Sequence, residues 1–381
     1  MTRHDVQQWL RSQILVFDQA LLLILGVLCF IGMLNMWSAG GGFSGRFADQ
    51  GRNFLVAFGM MWVVARVPPQ LILRFAVPLY VLGLVLLLGV AVAGDVTKGA
   101  RRWLNLGVTR IQPSEIMKIA MPLMLAWYFH KRESMVRLRD FFVALLLLAV
   151  PLGLIAKQPD LGTALLVGCA GLYVLYFAGM SFRLIIPAMA AIIIGAGLLY
   201  VFEDRICEPD VQWPLMHEYQ KNRVCTLLDP TIDPLGKGFH TIQSVIAVGS
   251  GGFFGKGFTQ GTQAQLEFIP ERTTDFAFAV FAEEWGLLGC MLLLGAYLAL
   301  LYRGLMIASQ AATYFSRLLA GSLTLVLFTY AMVNMGMVIG ILPVVGVPLP
   351  FISYGGTSLL TMGVACGILM SIARNRGLVQ R

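Results

Sequence analysis

The sequence predicts an all-α polytopic integral membrane protein, a bundle of about ten transmembrane helices with one large extracytoplasmic loop. Three observations lead there. The 381 residues are 58% hydrophobic and only 13% charged, too few charges to wet an ordinary surface. Apolar runs recur along the chain, each near the roughly 20 residues that a bilayer needs. The runs are continuous rather than alternating, which excludes barrel strands and leaves helices to satisfy the backbone in lipid.

In order, the runs fall near residues 18–37, 53–67, 71–93, 114–130, 141–156, 161–180, 184–203, 275–302, 316–341 and 355–373. The first, from Ala20 to Trp37, lacks a small-residue cleavage site and is followed by many others, so it is expected to be a retained helix. Pro113 suits the first turn of the fourth. Pro159 and Gly162 mark the tight turn between the fifth and sixth. The seventh and eighth are separated by the large loop, about 204–274, which holds His217 and His240 and an amphipathic stretch from Gly238 to Val248. A loop that long inside a bundle is usually functional and is expected to carry partial helices. The whole of 1–381 reads as a single membrane domain without a soluble module or clear internal repeat.

An even number of spans puts both termini on one side. Arg3, Arg11, Arg66, Arg74, the cluster Lys131, Arg132, Arg137 and Arg139, then Arg183, Arg303, Arg317, Arg374, Arg376 and Arg381 fall there, against only Asp5, Asp18, Glu133 and Asp140. The bias of basic residues toward the cytoplasm in short loops makes both termini cytoplasmic and the large loop external. The net charge of +8 therefore reflects topology and anionic lipid; no basic-aromatic module points to nucleic acid.

Cys29, Cys169, Cys290 and Cys366 lie in apolar runs as packing residues. Cys207 and Cys225 lie early in the outer loop and are expected to form a disulfide in an oxidising compartment, worth roughly 3 kcal/mol; the alternative is two free thiols. No Cys/His spacing suggests zinc.

Four features carry chemistry. Asp275 ends a polar stretch where the eighth span begins, so its carboxylate stands where water meets hydrocarbon, and it is the lead candidate for a general base. Lys98, Arg101, Arg102 and Arg110 gather positive charge before the fourth span, where the inside-positive bias would not put it. Glu115 and Lys118 follow, three apart on one helical face, suggesting a buried pair. The group reads either as an anion site for a phosphate-bearing lipid or as a structural pair with snorkelling arginines. Lys157 and Asp160 flank the next outer turn, as site residues or as solvated charges. Arg46 reads as an ordinary solvated loop residue. Glu283 and Glu284, adjacent in the eighth span, point about 100° apart, so at least one should meet a basic residue or a wet cavity. The glycine-rich run 249–261 lacks the spacing of a phosphate loop and reads as a place of close backbone approach.

The motifs Gly261-Thr-Gln-x-Gln-Leu-Glu-Phe-Ile-Pro-Glu-Arg through Asp275 to Glu283-Glu284, Arg101-Arg-Trp-Leu-Asn-Leu-Gly through Gln112-Pro-Ser-Glu115-x-x-Lys118, Gln158-Pro-Asp160-Leu-Gly-Thr163, and Asn334-Met-Gly through Gly346-Val-Pro-Leu-Pro-Phe351-Ile-Ser-Tyr354-Gly-Gly-Thr357-Ser resemble, in order and over the whole bundle, the shape, elongation, division and sporulation (SEDS) family. The Gly-Thr-Gln-x-Gln-Leu-Glu-Phe run is more similar to its RodA branch than to the division member FtsW. The resemblance implies a peptidoglycan glycosyltransferase that polymerises lipid II into β-1,4 glycan at the outer face of the bacterial cytoplasmic (inner) membrane during elongation and rod-shape maintenance. Asp275 would be the catalytic base, and Arg101, Arg102, Glu115, Lys118, Lys157 and Asp160 the substrate-binding set. A divalent cation, Mg or Mn, could share the pyrophosphate's charge, although no dedicated metal cage is visible. A class B penicillin-binding transpeptidase and other elongation-complex membrane proteins are the implied partners. A lipid II flippase, and a non-catalytic scaffold for the transpeptidase, are the competing readings.

Overall fold

The apolar runs become helices, and the polar punctuation between them sets where each begins. The computed structural model describes residues 17–42, 45–97, 100–105, 110–133, 136–202, 205, 207–208, 211, 218–229, 237–266, 269 and 271–375. Arg3, Asp5, Arg11, Lys98, His217, Arg376 and Arg381 lie outside the described residues, and of Arg101 and Arg110 only the backbone is described.

Helix α1 (Gln19–Ala39) starts at Asp18, whose carboxylate caps the Leu21 amide at 3.0 Å. The same carboxylate receives a two-pronged contact from Arg303 at 2.8 and 2.6 Å, fixing the start of one long helix to the end of another. Helix α2 (Gly45–Arg66) begins earlier than the apolar run because Arg46, Asp49, Gln50 and Arg52 extend it as a polar turn that hydropathy alone does not register. Helix α3 (Pro69–Ala93) follows, with proline in its first turn, where no amide is needed.

A small sheet then interrupts the helical pattern. Strands β1 (Asp95–Thr97), β2 (Ala100–Asn105) and β3 (Arg110–Ile111) pair antiparallel in that order, with Asp95 opposite Trp103 and Leu104 opposite Ile111. The sequence marks this segment only as a charged connection; pairing is how its backbone groups are satisfied outside a helix. The fold class stands, with this sheet as an addition. Helices α4 (Pro113–His130), α5 (Leu138–Lys157), α6 (Leu161–Phe177) and α7 (Phe182–Val201) complete the first half.

In the large loop, α8 (Glu218–Leu228), α9 (Lys237–Ser250) and the single turn α10 (Thr262–Gln265) are the partial helices. Cys207 and Cys225 are joined by a disulfide, their Cα atoms 5.6 Å apart. Ser244 of α9 donates to the Val338 carbonyl at 2.9 Å, docking the loop helix on the bundle. The last three helices are α11 (Ala277–Ser309), α12 (Tyr314–Val338) and α13 (Gly356–Arg374).

Among the described residues, six helices, α1, α3, α5, α11, α12 and α13, are long and apolar enough to cross a membrane; α6 is apolar but shorter. Burial sorts them. The apolar stretch of α12 is 78% buried and that of α5 only 22%, so α12 is central and α5 presents most of its surface to lipid. Helix α4 is buried nearly all round, which places its Glu115 and Lys118 inside the bundle. Helix α13 packs most closely on α2, where a Cβ on Gly363 would come 2.6 Å from the Ala57 carbonyl oxygen. Only glycine permits that approach.

Two irregularities shape the functional end. Helix α11 is broken at Gly286, whose φ of 63° and ψ of −163° are not helical. The glycine-rich run pairs with the break: the amides of Lys256 and Gly257 donate to the carbonyls of Glu283 and Glu284 at 3.0 Å, and those of Leu287 and Leu288 donate to Gly252 and Phe253 at 2.9 and 3.1 Å. The second irregularity is the non-helical segment between α12 and α13, which enters the bundle. Its backbone is held by Tyr297, which donates to the Pro350 carbonyl at 2.7 Å, and by Gln50, which donates to Ser353 at 3.2 Å. Irregular backbone within such a bundle is tolerated where protein surrounds it or it lines a cavity.

Candidate functional site

A polar cavity of about 210 Å³ opens between the sheet, the start of α4, the start of α6 and the irregular segment. Its lining includes Arg102, Trp103, Gln112, Glu115, Lys118, Asp160, Thr163, Gly346, Val347, Pro348, Thr357 and Ser358.

Helical spacing puts Glu115 and Lys118 one turn apart on α4. The Lys118 ammonium lies 2.5 Å from Glu115 Oε1 and 5.0 Å from the centre of the Tyr330 ring, with only 4% of its side chain exposed. The second Glu115 oxygen accepts from Thr361 Oγ1 of α13 at 3.1 Å. The pair therefore joins α4 to α13 across the cavity and satisfies charges that would be costly alone.

Asp160 is the cap of α6. One carboxylate oxygen accepts from the Thr163 amide at 3.3 Å and the other from Gln112 Nε2 at 2.9 Å. Arg102 of β2 stands 3.9 Å from Asp160 and donates to the Pro159 carbonyl. The turn is anchored from below by Gln158, which donates to the Leu87 carbonyl at 3.0 Å. A carboxylate held this way orients a guanidinium toward the cavity.

Asp275 stands on the last turn before α11. A Cβ built on Gly346, in the cavity wall, would lie 3.4 Å from Asp275 Oδ2, so the carboxylate borders the cavity at the irregular segment. The surrounding main chain is tied down from several directions. Tyr354 donates its amide to the Thr273 carbonyl at 2.8 Å, Asn35 donates to Ala277 at 3.0 Å, and Arg272 donates to Ala39 at 2.7 Å. Arg46 donates to Thr273 Oγ1 at 2.9 Å, so this exposed residue braces the Asp275 turn rather than sitting free in a solvated loop.

Among the described lining side chains, the cations Arg102 and Lys118 are matched by the carboxylates Glu115 and Asp160. An entering pyrophosphate must draw those cations partly away from their carboxylates or bring positive charge with it. Among the described residues, no group of three or more His, Cys, Asp or Glu side chains could hold a metal ion. The donors fit a cation shared with phosphate oxygens rather than one caged by protein.

The cavity thus gathers Arg102, Glu115, Lys118 and Asp160, with Asp275 at its border. It does not gather Lys157, which ends α5 with an exposed side chain outside the lining. Glu283 and Glu284 turn away from it. Glu283 is fully buried and accepts from Lys256 Nζ at 2.6 Å and from the Thr262 amide and hydroxyl at 2.9 Å, while Glu284 accepts from Ser38. Gln112, Thr361, Tyr330 and the wall at Gly346–Pro348 were not singled out as site residues. Gln112 and Gly346–Pro348 stand inside the motifs quoted above, which was the available signal; Tyr330 and Thr361 lie outside them, and no local pattern marks either one.

The family model for cell cycle proteins of the FtsW, RodA and SpoVE type matches residues 12–377. The peptidoglycan glycosyltransferase MrdB of Escherichia coli (strain K12) is 47% identical over 364 residues, covering 96% of this chain and 95% of that one. The probable peptidoglycan glycosyltransferase FtsW of Trichlorobacter lovleyi is 36% identical, covering 94% and 93%. Among solved structures, a chain from a peptidoglycan synthase complex, described as coordinating polymerization and crosslinking, superposes with a TM-score of 0.77 at 31% identity, covering 95% of this chain and 98% of that one. The rod shape determining protein RodA of Thermus thermophilus superposes with a TM-score of 0.69 at 26% identity and the same coverage.

Proposed function

The chain belongs to the FtsW, RodA and SpoVE family of cell cycle proteins, and from that premise we propose that it is a peptidoglycan glycosyltransferase of cell elongation, polymerising lipid II at the outer face of the cytoplasmic membrane. The observation that carries the proposal is the Asp275 carboxylate bordering a cavity that both Arg102 and Lys118 line. A base and two cations on one small cavity match the charge changes of glycosyl transfer from a lipid pyrophosphate.

In this mechanism the Asp275 carboxylate takes the proton of the acceptor's GlcNAc 4-hydroxyl. The freed oxygen attacks the anomeric carbon of the donor, the bond from that carbon to the pyrophosphate oxygen breaks, and the lipid pyrophosphate leaves with the electron pair. Displacement inverts the donor's α linkage to the β-1,4 linkage of the glycan, without a sugar-enzyme intermediate. Arg102 and Lys118, with Arg101 on the same strand, neutralise the departing pyrophosphate. A divalent cation, Mg or Mn, bound with the pyrophosphate would add positive charge at that point. Glu115 and Asp160 hold Lys118 and Arg102 in place between turnovers. Lys157 belongs to the outer rim, where it can attract the anionic headgroup at longer range. The distribution of basic residues supports cytoplasmic termini and a site facing the periplasm. A class B penicillin-binding transpeptidase is the partner this reading assigns.

The test uses purified protein in vesicles with labelled lipid II, reading glycan length and transbilayer movement separately. Asp275→Asn should lower polymerisation by roughly 10² to 10⁴-fold while the protein stays folded. Wild-type protein that moves lipid II without polymerising it would support a flippase. Neither activity in the presence of its partner would leave a scaffold. Long glycan from Asp275→Asn at the wild-type rate would remove Asp275 as the base.

A further inference from the structure

Asn334 stands in a motif for which the mechanism above has no use, and its surroundings are unusual. It lies on α12 with no exposed surface. Its Nδ2 group, which carries two protons, donates one to the Asp275 carbonyl at 2.8 Å and the other to the Val347 carbonyl at 2.7 Å. Val347 lines the polar cavity, and a Cβ built on its neighbour Gly346 would lie 3.4 Å from Asp275 Oδ2. One buried amide group thus joins the main chain of the proposed base directly to the main chain of the cavity wall.

We infer that Asn334 is a positioning residue, fixing the Asp275 carboxylate at its distance from the cavity; the inference rests on Asp275 being the base. The physical argument is that two donors on one rigid, planar amide fix two carbonyls relative to each other. The helix carrying that amide is the most deeply buried of the membrane-length helices, so the reference point sits in the packed interior. Other contacts of the Asp275 turn come from α1, α2 and Tyr354, and they hold it to the first helices and to the far end of the irregular segment rather than to the Gly346–Pro348 wall. An ångström of drift between a base and its substrate costs on the order of 10²-fold in rate. A residue that only stabilised the fold would have no such effect on turnover.

Tyr297 supplies the control. It too is fully buried and donates to a carbonyl of the irregular segment, Pro350, at the same 2.7 Å, but it has no bond to Asp275. The experiment compares Asn334→Leu, Asn334→Ser, Tyr297→Phe and Asp275→Asn in full-length protein, measuring thermal midpoint, kcat and KM for lipid II polymerisation. Asn334→Leu, close in size and without a donor, should lower kcat about 10- to 100-fold with KM within about threefold. Asn334→Ser, which keeps one donor, should fall between it and the wild type. Tyr297→Phe should lower the thermal midpoint and keep kcat within about threefold. Wild-type kcat in either Asn334 variant, or equal kcat losses in Asn334→Leu and Tyr297→Phe, would overturn the positioning role while leaving the base intact. Full activity in Asp275→Asn would overturn both.

Discussion

Replacing Lys118 by methionine removes one partner of a buried ion pair and leaves the other in place. The ammonium is 2.5 Å from Glu115 Oε1, and the two side chains are 4% and 12% exposed. At an effective dielectric constant of about 20 their attraction is roughly 7 kcal/mol, most of it offset by the cost of desolvating both groups. Losing only the cation removes the attraction but keeps the buried carboxylate, which then retains Thr361 Oγ1 at 3.1 Å as its remaining bond. A stability loss of about 3 to 5 kcal/mol follows. The cavity would also hold two carboxylates against Arg102 alone, so binding of the anionic donor should weaken along with stability. Removing both charges with Lys118→Met and Glu115→Gln should restore most of the stability, because no buried charge is left unpaired, but not the activity. Arg46→Ala is the comparison: it is exposed and its single bond to Thr273 is worth about 1 kcal/mol. Thermal unfolding in detergent and donor KM measure the two effects. A Lys118→Met protein as stable and as active as Arg46→Ala would refute the reasoning, and a double variant no more stable than the single one would show that the pair is not the source.

Two further outcomes follow from the fold. Gly286→Ala should be strongly destabilising and should impair activity, since φ is 63° and the new Cβ would sit 2.3 Å from the Gly255 amide nitrogen at the break in α11; an unchanged melting curve would show that the break tolerates a side chain. Reduction of the Cys207–Cys225 bond should cost roughly 3 kcal/mol of stability and little catalytic rate; intact mass after alkylation of unreduced, denatured protein should show four modified thiols, and six would contradict the bond.

The sequence by itself determined the helices, because its apolar stretches are continuous rather than alternating, and with barrel strands excluded only helices satisfy the backbone in a bilayer. All ten expected runs coincide with helices, with ends displaced where polar turns continue them, as at Arg46 to Arg52. Local spacing also made the Glu115–Lys118 pair legible, since three residues on a helix is contact distance. The small sheet was not legible: its strands are short, and their pairing depends on a register that hydropathy does not encode. What only the tertiary structure decided is which polar residues share a cavity. Arg102 meets Asp160 from 58 positions away because buried carbonyls and charges must find donors wherever the packed helices bring them, and the same closure brings Asp275 beside Gly346 from 71. That same requirement joined Asn334 to both Asp275 and Val347, sent Glu283 to Lys256, and left Lys157 outside the cavity despite lying three residues from Asp160. Periodicity along a chain reports the face a residue occupies; the partner on the opposing face is fixed only when helices distant in sequence close around it.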